Sequence, residues 1–65
     1  AQSDARTDIY GLGIMMNVML TGKHPVNEMA TGKMGNIIEK CIMVNPNKRY
    51  KNVMEVKAKL NKLHY

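Results

Sequence analysis

Thr7-Asp8-Ile9-Tyr10-Gly11-Leu12-Gly13-Ile14-Met15-Met16-Asn17-Val18-Met19-Leu20-Thr21-Gly22 is the stretch on which the fold turns. From Ile9 to Gly22 it carries 14 residues without a charge. A bilayer span needs about 20 apolar residues, so the expectation is a buried core helix over 7–21, with no membrane contact by this segment. Thr7 suits the N-cap, and Asp8 places a carboxylate in the first turn, where the helix dipole favours it. Gly22 suits the left-handed position that closes a helix. Between these ends the apolar side chains cover every face, and Asn17 is the only clearly polar one before Thr21. A helix that is apolar all round is made to be enclosed. The chain has only 65 residues to enclose it, and a domain of this size buries only about 60% of the surface its unfolded form exposes. The reading is a single partial domain over 1–65, with neighbours missing.

Gly11 and Gly13 each cost about 1 kcal/mol relative to Ala inside a helix. They are either tolerated weak spots or places where another backbone packs closely, and close packing is the preferred reading. Met15, Met16 and Met19 read as core packing rather than as an adaptable binding surface.

Downstream, His24-Pro25 argues for a loop, because the residue before proline is pushed to extended geometry. Met34, Ile37, Ile38, Cys41 and Ile42 then fall at i, i+3, i+4, i+7 and i+8, which predicts a second helix over 33–44 with one apolar face. Asn45 and Pro46 stop it, with Asn45 capping a short turn and Pro46 at its first position. Arg49 follows that turn. Val53, Val56, Leu60 and Leu63 predict an amphipathic helix over 53–63, with Lys57, Lys59 and Lys62 facing outward. The fold class is all-α, a small bundle of about three helices.

Composition narrows the function. Hydrophobic residues make up 45% of the chain, too rich for intrinsic disorder. Lys and Arg number 10 against 5 Asp and Glu, giving a net charge of +5. A solvated basic face explains that charge better than a nucleic-acid footprint, since no helix carries Arg, Asn and Gln where they would read base edges. Lone Cys41 excludes an internal disulfide framework and makes a reducing, cytoplasmic setting the default. No signal peptide is visible. Cys41 lies on the apolar face of the second helix and reads as core filler. His24 and His64 show no metal-ligand spacing, and Gly11-x-Gly13 lies inside a helix rather than ahead of one, so it is no phosphate loop. No catalytic, cofactor-binding or metal residues are expected in these 65 residues.

Two motifs in register add a resemblance. Asp8-Ile9-Tyr10-Gly11-Leu12-Gly13, followed by Met19-Leu20-Thr21-Gly22-Lys23-His24-Pro25, resembles the central helix of the large lobe of eukaryotic-type protein kinases. The family pattern there is Asp-x-Trp/Tyr-Ser-x-Gly, a hydrophobic helix, then Leu-Thr-Gly-x-x-Pro. Ile37-Ile38-Glu39-Lys40-Cys41 and Asn45-Pro46-Asn47-Lys48-Arg49-Tyr50 are similar to the family's late helix and its Asp-Pro-x-x-Arg-Tyr turn. Asp4-Ala5-Arg6-Thr7 looks like bacterial Ser/Thr kinases just after the activation segment. The sequence departs from the pattern at Gly11, Asn17, Val18 and Val26, and its gap from Pro25 to Ile37 is short.

The resemblance implies the C-terminal helical subdomain of the kinase large lobe, and scaffold roles for five residues. Asp8 would accept hydrogen bonds from the catalytic-loop backbone. Gly13 belongs to the helix motif, and Met15 and Met19 would support the residues beneath the adenine pocket. Arg49 would pair with the Glu that closes the activation segment. The chain carries no Gly-rich loop, strand Lys, His-Arg-Asp or Asp-Phe-Gly, the parts that position and stabilise a transferring phosphoryl group. ATP and Mg2+ therefore belong to a longer parent, and this chain reads as an inactive fragment of it. Its partners would be the rest of the kinase domain and, through the enclosed helix left bare, other copies of itself. The rival reading is a free-standing helical module for protein interaction or oligomerisation.

Overall fold

The computed structural model describes residues 5–63, and everything it describes is helix, turn or loop. Helix α1 spans Ala5–Thr21, α2 Gly32–Cys41 and α3 Val53–Asn61, with a single 3₁₀ turn at Pro46–Lys48 between the last two. The chief interface is α1 on α2; α3 packs against α2, and the 3₁₀ turn touches α1.

Ile9, Gly13 and Asn17 form the buried line of α1, one every four residues, with Leu12 and Met16 half-buried beside them. From α2 come Ile37, Ile38 and Cys41, all buried. Tyr50 and Val56 close the core, and Ile42, Leu60 and Leu63 pack at its edge. Each large apolar side chain so enclosed contributes on the order of 1.5–3 kcal/mol on leaving water.

Gly13 sets the spacing of the two main helices. A Cβ there would lie 2.6 Å from the Cys41 Cβ and 2.7 Å from the Ile42 Cγ2, closer than carbon atoms pack. Only a glycine lets α1 and α2 approach this far. Gly11, read alongside it as a contact point, has open space around its Cβ position. It lies on the outward side of α1, one step round from the buried line.

Helix boundaries differ from the sequence expectation for local reasons. α1 begins two residues before Thr7, so Thr7 is an exposed helical residue and no cap. The first turn is pinned from outside, since Arg49 Nη1 donates to the Arg6 carbonyl at 3.1 Å and Arg6 Nη1 donates to Asn47 Oδ1. α2 starts at Gly32 and ends at Cys41, short of Val44. There the carbonyls of Met43 and Val44 turn to Arg49 instead of continuing the helix. α3 stops at Asn61, with Lys62 and Leu63 in a closing turn.

The other end signals hold. Gly22 has φ +76° and returns its amide to the Val18 carbonyl at 2.7 Å, the left-handed closure. Asn45 Oδ1 accepts the Asn47 amide at 2.9 Å, and α3 has a cap that its sequence pattern had not singled out, with Asn52 Oδ1 accepting the Glu55 amide at 3.0 Å.

The molecule measures 34 × 27 × 17 Å. No layer covers the outer side of α1, where Met15, Val18, Met19 and Leu20 are exposed.

Candidate functional site

The side chains that could carry nucleophilic chemistry are placed where they cannot. Cys41 is fully buried, and burial pushes its thiol up to about 11; at neutral pH it is a protonated core group. His24 is exposed in the loop after α1, where its Nδ1 accepts the Val26 amide at 3.1 Å. His64 lies outside the described residues, as does Asp4. Among the described residues no three His, Cys, Asp or Glu side chains gather into a metal-binding group. No helix among them is long and apolar enough to cross a membrane.

Two other surfaces stand out. The first is the outward side of α1. Met15 is 59% exposed and Met19 77%, with Val18 and Leu20 also open to solvent. The core placement expected for Met15 and Met19 is therefore wrong within this chain; only Met16 packs against the core. The inward line of α1 is already filled by Ile9, Gly13 and Asn17, so the remaining apolar side chains have nothing left to face.

The second surface surrounds Arg49. Its Nε donates to the Met43 carbonyl at 2.7 Å and its Nη1 to the Arg6 carbonyl at 3.1 Å, with a longer contact from Nη2 to Val44 at 3.4 Å. The guanidinium carbon stands 4.8 Å from the centroid of the Tyr10 ring. Arg49 thus ties the start of α1 to the segment that follows α2. It is half-buried, and no carboxylate among the described residues pairs with it. Beside it lies a cleft of about 270 Å³ lined by Arg6, Pro46, Asn47, Arg49 and Lys51, with no acidic side chain on its walls.

Of the residues singled out by resemblance, Arg49 is joined to the first turns of α1, where Asp8 stands exposed. Gly13 faces inward, while Met15 and Met19 face outward. These five do not converge on one point.

Asn17 was read only as a polar exception, and the structure gives it the central polar role. It is fully buried. Its Nδ2 donates to the carbonyls of Glu28 at 2.8 Å and Lys23 at 2.9 Å, and its Oδ1 accepts the Ala30 amide at 2.8 Å. Thr21 supports it, with Oγ1 at 2.9 Å from the Asn17 carbonyl and accepting the Lys23 amide at 3.0 Å. Position 17 continues the buried line Ile9–Gly13, a line that the all-round apolar pattern of α1 does not mark in the sequence, and a polar side chain there requires partners. A second, more open cleft of about 370 Å³ lies under this loop, between Leu20, Met29 and Met34.

No family model, no curated protein and no solved structure matches the chain.

Proposed function

We propose that the chain is a scaffold segment from the C-terminal end of the large lobe of a bacterial-type Ser/Thr protein kinase. The parent would be cytoplasmic and transfer phosphate from ATP, with Mg2+, to protein Ser/Thr hydroxyls. In this reading the 65 residues bind neither nucleotide nor metal, and their partner is the rest of the kinase domain. The motifs around Asp8 and around Arg49 carry the resemblance from which the reading starts.

The observation that carries it is Arg49. Three main-chain carbonyls and one aromatic ring hold a partly buried guanidinium that no carboxylate among the described residues meets. An acid arriving from a preceding segment, as the resemblance implies for the Glu closing the activation segment, would complete it. The bare outer side of α1 points the same way, to a neighbour that belongs over it. The rival reading, a free-standing interaction module, draws on that same bare face and takes Arg49 as an internal tie alone, which gives the acid-free cleft beside it no role.

The test is phosphotransfer by two polypeptides, this chain and the longer one read from the coding DNA upstream of Ala1. Mg2+-dependent phosphorylation of a protein substrate is expected from the longer chain and none from the 65 residues. Turnover by the short chain, or a longer chain that binds no ATP, would overturn the proposal.

A further inference from the structure

Gly11, Met15 and Val18 on the outward side of α1, and Gly22 just past its end, follow one another at intervals of four, three and four residues, and all four are exposed. That spacing is the seam along which two helices pack side by side. The seam has its own notch and its own knobs, with open space at Gly11 and projecting side chains at Met15 and Met19. Turned antiparallel on itself about the midpoint between Ile14 and Met15, it sets Gly11 of one copy opposite Val18 of the other, a small residue against a large one at both ends.

Charge selects the same orientation. The seam itself is uncharged, while Asp8 flanks its start and exposed Lys23 follows its end. An antiparallel pair brings Asp8 of each copy beside the Thr21–Lys23 end of the other and opposes the two helix dipoles. A parallel pair would set Asp8 against Asp8 and Lys23 against Lys23. The matching ends, and the match of notch to knob, favour a second copy of this chain over an unrelated occupant.

We propose that this face of α1 is a homodimer seam, two copies packed antiparallel through Gly11, Met15 and Val18. The inference concerns the 65-residue chain by itself, in which the outer side of α1 is bare. A seam one helix long is at the small end of specific interfaces, so the dimer is weak, with a dissociation constant on the order of 10–100 µM.

The test is sedimentation equilibrium of the whole chain from about 1 µM to about 1 mM. The expected mass climbs from 7.4 kDa toward twice that value. Met15→Glu and, separately, Val18→Lys are expected to weaken association more than about tenfold, with the helical circular dichroism unchanged because both positions are already solvent-exposed. Orientation is read by mixing Gly11→Cys with Val18→Cys under mild oxidation, where the mixed disulfide should dominate. A wild-type mass that stays monomeric throughout, a dimer indifferent to both charge substitutions, or like-with-like disulfides as the main product would each overturn the proposal.

Discussion

The side-chain oxygen of Asn17 accepts the backbone amide of Ala30 at 2.8 Å, across thirteen residues of chain. With its amide nitrogen held by Glu28 and Lys23, this one buried group stands in for the secondary structure that the 22–31 segment lacks. The loop is shaped by α1, and in turn it delivers the chain to the start of α2.

Removing that group should be among the most damaging single changes. Asn17→Ala removes the side-chain partner of the Glu28 carbonyl and the Ala30 amide and leaves the Lys23 carbonyl to Thr21 alone, a loss of about 2–4 kcal/mol. Asn17→Asp should be no better, because a carboxylate would face the carbonyls of Glu28 and Lys23. Urea unfolding of the two variants checks this. A loss under about 0.5 kcal/mol in either would show that the clamp is dispensable.

The two glycines of α1 should respond in opposite directions. Gly13→Ala forces α1 away from Cys41 and Ile42 and should cost about 1–3 kcal/mol. Gly11→Ala fills open space, removes a flexible residue from a helix and should stabilise a dilute, monomeric sample by about 1 kcal/mol. For a chain of this size that difference is several degrees in melting temperature. Equal effects at the two positions would contradict the packing described.

Stability should fall at alkaline pH, and Cys41 sets where. Its thiol releases a proton near its ordinary value of 9.0 in the unfolded chain but holds it to about 11 in the fold. Between those values the unfolded state binds fewer protons, so stability declines as pH rises, by about 1.4 kcal/mol per pH unit. Below 9.0 the group adds no slope. Tyr50, raised above 10.0 by burial and then by the charges of Cys41 and Glu55, prolongs the decline. Unfolding midpoints measured across this range should be flat and then drop. Cys41→Ala should lower the plateau and remove the first part of the drop.

Arg49→Lys should be nearly as harmful as Arg49→Ala. A lysine reaches one carbonyl, whereas the guanidinium fork serves Met43 and Arg6 together and stacks on Tyr10. Each variant should lose about 1–3 kcal/mol, with fraying at the start of α1 visible by hydrogen exchange at Arg6–Tyr10. Full retention of stability in the lysine variant would mean that only the charge matters.

Three helices, their order, the end of α1 and the start of α3 were legible in the sequence, because α2 and α3 carry one-sided apolar patterns and Gly22 and Asn45 announce their turns. Val53 is the exception in α3; it is 52% exposed, since Val56, Leu60 and Leu63 alone reach the core. The face that α1 buries was not legible. A helix apolar all round has no pattern to orient it, and what decides is Gly13, the one position where α2 comes close enough to exclude every other side chain. Arg49 was hidden for a related reason. Its partners are main-chain carbonyls, which every residue possesses and no sequence pattern marks.

The most direct measurement is to read the coding DNA upstream of Ala1. A His-Arg-Asp-x-x-x-x-Asn loop and an Asp-Phe-Gly, followed by a Glu that closes the activation segment and can meet Arg49, are the predicted result. A start codon immediately before Ala1, or upstream sequence with neither motif, would contradict the kinase account and leave a self-pairing helical module.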